Sequence, residues 1–239
     1  MDKFARLPFA VYPRWTMKPT LYVGNQNYSS WSMRPWLVLK WGAIEHELRV
    51  IPLGGDGYAK RAMPSVLAVS PSGTVPSLHL GDGIVLNDSL AISEWAAEQA
   101  PAAELWPRDA KARAVARAAA CEMHSGFAAL RSKMPCNIRR RTEPRVPEGD
   151  VKRDVDRVVE LWTELWTRWG AGGPYLFGTK PTIADAFYTP IATRFRTYGV
   201  SLTGVAGEYA ATLLANPAFR EWEAAGAAET WTMPMWDAV

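Results

Sequence analysis

The spacing of apolar residues changes once along this chain, near residue 100. Before that point the runs are short. TLYVG at 20–24 and ELRVIP at 47–52 have the length of buried strands. SLHL and IVL, parted by Gly81-Asp82-Gly83, read as an antiparallel hairpin, since glycine supplies the positive φ of a tight turn. Between the strands, residues 33–42 read as a helix with Pro35 in or near its first turn and Gly42 at its end. Residues 58–69 are weakly helical around Pro64, and residues 89–99 form a further helix. The predicted order is β-α-β-α-β-β-α over 20–99.

That order is the layout of an α/β thioredoxin-like domain, a mixed four-stranded sheet with helices on both faces. Residues 100–109 read as a linker, and from 110 to 239 the strands disappear. Ala112, Val115, Ala116, Ala119, Met123 and Leu130 keep three- and four-residue spacing, as do Val155, Val158, Trp162, Leu165, Trp166 and Trp169. The second half is therefore predicted to be an all-α C-terminal helical domain, with the tryptophan stripe in its core. Residues 1–19 hold a short apolar patch broken by Pro8 and Pro13, which reads as a mobile extension and makes a poor signal peptide.

Composition narrows the function. A net charge of +3 without a basic stripe gives no nucleic-acid footprint. No apolar run approaches the ~18 residues of a membrane span. Cys121 and Cys136 lack metal-ligand spacing and are too few for a disulfide framework, so the expected compartment is the reducing cytoplasm, with no metal.

Chemistry concentrates in NYSSWSMRPW at 27–36, where the first strand gives way to a helix. A helix N-terminus presents unpaired N–H groups and favours negative charge, so it suits a thiolate. A free thiol has a pKa of about 8.5, and a hydroxyl donating to sulfur there favours the ionised form. Redox thioredoxins place C-x-x-C here, whereas this chain has Ser-Ser-Trp-Ser, so the sulfur has to come from elsewhere. Helix capping by Ser30 or Ser32, with Arg34 solvated, accounts for the same residues. Asp88-Ser89 opens the next helix either as an N-cap or as a carboxylate site. Thr182 to Asp185 fits a structural capping box.

Four stretches in this order, SSWSMR, SPSGTVPSL, NDSLAISEW and TIADAFYTP, resemble the glutathione S-transferase superfamily over residues 20–239. The first is similar to the SSxSxR signature of the serine-type zeta class, which includes maleylacetoacetate isomerases, and EMHSGF with MPCNIRRR resembles an uncharacterised bacterial branch. The resemblance implies an enzyme that activates glutathione, its cosubstrate, for addition, substitution or isomerisation on a small electrophile. A non-catalytic binding module and a glutathione-dependent lyase or dehalogenase are its alternatives. It implies Ser29 as the donor to sulfur, with Tyr28 as rival, and Ser30 and Arg34 beside it. Pro76 would be cis, with Val75 pairing to the cysteinyl backbone of glutathione. Ser89 would take the γ-glutamyl carboxylate and Asp88 the ammonium. The co-substrate cleft would be lined by Asn27, His124, Phe127 and Arg139, although His124 reads equally as a structural histidine and the run 139–141 as a solvated face. A homodimer is the family's usual state.

Overall fold

Leu21 and Val23 alternate with Tyr22 along β1 (Thr20–Gly24), and both point fully buried into one face of the sheet. A computed structural model describes residues 18–58 and 60–239; the extension expected over 1–19 lies outside the described residues as far as position 17. Strand β1 pairs in parallel with β2 (Glu47–Ile51) and antiparallel with β3 (Ser77–Gly81), placing Leu21 opposite both Leu48 and Leu78. β4 (Ile84–Asn87) pairs antiparallel with β3, giving the order β2-β1-β3-β4. This is the mixed sheet that the sequence predicts. One face joins the main core under α1 (Ser30–Trp41) and α3 (Ser89–Gln99). The other covers a smaller cluster of Ile51, Met63 and Val66 around α2 (Pro64–Leu67).

Helix α1 starts three residues earlier than its apolar pattern predicts. Ser29 is the reason, because its Oγ accepts the N–H of Ser32 at 3.3 Å and caps the helix one turn sooner. Pro35 consequently sits inside the helix instead of in its first turn, and the carbonyl of Trp31 loses its usual helical donor.

Beyond a 3₁₀ turn at Pro101–Ala103 the chain is helical: α4 (Ala110–Ser125), α5 (Ala128–Lys133), α6 (Gly149–Trp169), α7 (Ile183–Thr197), α8 (Gly204–Ala215), α9 (Pro217–Ala228) and the short α10 (Pro234–Asp237). The spaced set from Ala112 to Leu130 breaks at Gly126, where a Cβ would stand 2.6 Å from the Glu122 carbonyl oxygen. Helix α7 is the axis of this half, buried at every residue except Arg196 and packed on α1, α4 and α8. Trp162 is fully buried, with its ring edge-on to Tyr188 and Tyr209, so the stripe is core at this position. Thr182 and Asp185 form the predicted capping box at the start of α7.

Candidate active site

A cleft of about 580 Å³ opens where the two halves meet. Ser29 and Ser30 at the start of α1 and Val75 before β3 line it from the sheet side; Arg131 of α5, Cys136 and Arg194 of α7 line it from the helical side. The Val75–Pro76 peptide is cis. The N–H and C=O of Val75 make no hydrogen bond among the described residues.

The loop hydroxyls are committed unequally. Tyr28 donates to the Asp237 carboxylate at 2.9 Å and also receives Arg139 Nη2 at 3.4 Å. Ser29, expected as the free donor, serves as the α1 cap and lies 2.8 Å from Ser32 Oγ. Ser32 Oγ in turn accepts Gly24 N–H at 3.1 Å, tying the helix start to the end of β1. Ser30, expected as a cap, has no capping bond; its Oγ accepts from Arg194 Nη2 at 3.2 Å.

A second polar cluster surrounds the start of α3. Asp88, with φ +83°, caps α3 by accepting Leu90 N–H at 2.7 Å, and its other oxygen lies 3.3 Å from His124 Nε2. His124 thus stands beside Asp88 and is not among the residues that line the cleft, where it was expected. Burial pushes the His124 pKa down, with Asp88 opposing that shift, so the ring is neutral near pH 7. Ser89 Oγ, His124 Nδ1 and Arg34 Nε and Nη1 are buried here without a partner among the described residues. Arg34 lies between the rings of Trp31 and Phe187, 4.3 and 4.9 Å from their centroids. Burial, with Arg131 and Arg194 nearby, holds its pKa down to about 9.

Three further residues expected in the cleft stand elsewhere. Asn27 is fully buried behind the loop, where its side chain bonds Asn137 Oδ1 at 3.0 Å and Arg139 N–H at 2.9 Å. Phe127 packs in the core at the turn between α4 and α5. Arg139 reaches the C-terminal segment, donating to the carbonyls of Glu229 and Trp231. That segment clamps the active loop: the Glu229 carboxylate accepts the N–H groups of Gln26 and Asn27 at 2.6 and 3.1 Å. Met233 and Trp236 then form part of the cleft wall.

The positive charge in the cleft comes from arginines outside the motifs of the sequence. Among the described residues, Arg61, Arg131 and Arg194 line it, and no Asp or Glu does. Arg131 places Nη1 on the carbonyls of His124 and Gly126 and stacks over Trp31 at 4.8 Å. One signal was available for Arg194: it is the one charge in the run AFYTPIATRF.

Residues 28–99 match the model of the glutathione S-transferase N-terminal domain, and residues 140–225 that of the C-terminal domain, together more than half of the chain. A maleylacetoacetate isomerase from Pseudomonas aeruginosa is 27% identical over 207 residues, 84% of this chain and 93% of that protein. Among solved structures, a glutathione transferase homolog from Burkholderia with bound glutathione shares the fold with a TM-score of 0.66 at 22% identity, over 89% of this chain and all of that one. The holo structure of a zeta-class bacterial maleyl pyruvate isomerase does so with 0.66 at 23%, again over 89% of this chain and 100% of that one. The two matched domains stand in the same order as the sheet and the helical half that enclose the cleft, and the chain belongs to the glutathione S-transferase family.

Proposed function

We propose that the protein binds glutathione in this cleft and directs its thiolate at a small electrophile carrying a carboxylate. The observation that carries this reading is a cleft lined, among the described residues, by Arg61, Arg131 and Arg194 and by no acidic residue. A guanidinium forks onto a carboxylate through two parallel N–H donors, so such a wall selects anions. Arg61 and Arg131 are accessible from the cleft, whereas Arg194 is buried behind Ser30. This moves anion selection away from the run 139–141: Arg139 holds the C-terminal segment, and Arg141 Nη1 bonds the carbonyls of Ile138 and Arg140.

The chain's groups fit glutathione at three points. Ser89 Oγ, buried at the first turn of α3 without a partner among the described residues, suits the γ-glutamyl carboxylate. The unpaired N–H and C=O of Val75 suit a strand-like contact with the cysteinyl backbone. Hydroxyls at the start of α1 suit the sulfur. When bound, glutathione supplies the thiolate nucleophile for addition, substitution or isomerisation. The names of the relatives, isomerases of maleylacetoacetate and maleylpyruvate, support isomerisation of an unsaturated acid.

Calorimetric titration with glutathione tests the reading. Wild-type protein is expected to bind, and Ser89→Ala to bind about 10- to 100-fold more weakly, the scale of a lost hydrogen bond to a charged group. Wild-type protein that takes up no glutathione would favour the non-catalytic binding module.

We further place the protein in the cytoplasm as a two-fold homodimer. Cys121 and Cys136 are both free thiols, which supports a reducing compartment. Light scattering is expected to give twice the chain mass of 26.5 kDa; a monomer at micromolar concentration contradicts the dimer.

A further inference from the structure

We propose that Trp31 sets the selectivity of the cleft for carboxylates by holding the Arg131 guanidinium against its indole ring, so that one edge of the guanidinium meets the electrophile already aligned. Trp31 is thereby a positioning residue, and Arg131 is the group that touches the ligand. The inference rests on the anion-selecting reading above and names the side chain that gives it geometry.

Three contacts restrain Arg131. Its Nη1 donates to the carbonyls of His124 and Gly126 at 3.3 and 3.2 Å, where α4 ends. Its Cζ lies over the Trp31 ring, 4.8 Å from the centroid. Nε and Nη2 make no hydrogen bond among the described residues, and neither is among the buried polar atoms that lack a partner, so this edge is open on a residue that lines the cleft. Nε–H and one Nη2–H point in parallel and match the two oxygens of a carboxylate. Arg61, the other accessible arginine of the cleft, has no aromatic ring beneath its guanidinium and no side-chain hydrogen bond among the described residues.

Trp31 serves as a platform because it is itself pinned. It lies in the first turn of α1, three residues before Arg34, a spacing that puts both side chains on one face of the helix. Arg34 Cζ stands 4.3 Å from the Trp31 centroid and 4.9 Å from that of Phe187, and the His124 ring meets the indole edge-on at 5.1 Å. The contacts therefore run from Phe187 through Arg34 and Trp31 to Arg131, joining α7, α1 and α5. An acidic partner would neutralise Arg131 by occupying its fork. The indole supplies negative potential through the guanidinium face instead, and so leaves the edge donors for a ligand. Over an aliphatic side chain the same arginine would sample many rotamers, and ordering them on binding would be taken out of the affinity for the carboxylate.

The test uses ethacrynate, an enone whose carboxylate is remote from the reacting methylene, and its primary amide, each at saturating glutathione. The ratio of their kcat/KM values is read in wild type, Trp31→Leu, Trp31→Phe and Arg131→Gln. Wild type is expected to prefer the acid by about tenfold or more. Trp31→Leu keeps apolar volume and removes the π face. It is expected to lose most of that preference through a rise of about five- to tenfold in KM for the acid, with kcat and the constants for the amide changed less than about threefold. Trp31→Phe, which retains an aromatic face, is expected to keep most of the preference. In an Arg131→Gln background Trp31→Leu is expected to change the ratio less than about twofold, a non-additivity that loosened packing alone would not give. A preference that survives in Trp31→Leu but is lost in Arg131→Gln overturns the proposal and leaves the anion-selecting reading standing. An equal fall for acid and amide in Trp31→Leu also overturns it, because that marks a purely structural role. No preference in the wild type, or no glutathione-dependent turnover of either compound, overturns both. Should Trp31→Leu fail to fold, the crystal structure of the wild-type protein with the unreactive acid, its enone double bond reduced, decides. The expected result is a carboxylate on Arg131 Nε and Nη2 with the guanidinium kept over the indole; a carboxylate held by Arg61, or Arg131 turned off the ring, overturns the proposal.

Discussion

Asp185→Ala is expected to lower the free energy of unfolding by about 3–5 kcal/mol. The Asp185 carboxylate is fully buried at the first turn of α7. It accepts Thr182 N–H and Thr182 Oγ1 at 2.7 Å each, Leu176 N–H at 3.2 Å and the Tyr209 hydroxyl at 2.8 Å. Burial raises its pKa, and these four donors oppose the rise. Alanine would leave the donors of Thr182, Leu176 and Tyr209 without an acceptor, each costing about 1–3 kcal/mol before relaxation. Because α7 carries Arg194 and packs on α1, the loss reaches the cleft. Urea unfolding measures it directly. Asp185→Asn, which keeps one acceptor oxygen, should fall between, and an alanine variant within about 1 kcal/mol of wild type would show that the capping box is dispensable.

Removing residues 229–239 is expected to lower kcat/KM about 10- to 100-fold while leaving a cooperative unfolding transition. The segment contributes little to the main core; its contacts go to the active loop. Glu229 holds the N–H groups of Gln26 and Asn27, and Asp237 holds the Tyr28 hydroxyl and Asn137 Nδ2, the latter at 2.8 Å. Burial raises the Glu229 pKa, against the two N–H groups and Arg139. These bonds hold the loop in place, and a displacement of about 1 Å at a catalytic group costs on the order of a hundredfold. The single change Glu229→Ala tests the same clamp, and full activity in both variants would show that the loop holds its shape alone.

The sheet was legible because its cause is local. Alternation along Leu21, Tyr22 and Val23, and the Gly-Asp-Gly turn between β3 and β4, carry their own information in a few residues. The start of α1 was not, since the cap that sets it, Ser29, stands among three serines of equal propensity. Of the residues expected to meet glutathione, Val75 and Ser89 carry polar groups without a partner among the described residues, while Asp88 turns to His124. The co-substrate wall was the least legible part. Asn27 and Arg139 adjoin the right segments, yet chain proximity does not tell which side of a loop a side chain takes, and both face inward to the clamp. That clamp joins residues about 200 positions apart, beyond the reach of any periodicity.

The most direct test of a glutathione-dependent enzyme with an anion-selecting cleft is a pair of specificity constants. kcat/KM is measured at saturating glutathione for a carboxylated electrophile and for its amide isostere, with wild type and with Arg131→Gln. The account predicts that wild type prefers the carboxylate by tenfold or more, roughly one charge-assisted hydrogen bond, and that Arg131→Gln removes most of that preference. Equal constants for the two electrophiles in the wild type, or turnover that does not depend on glutathione, would contradict it.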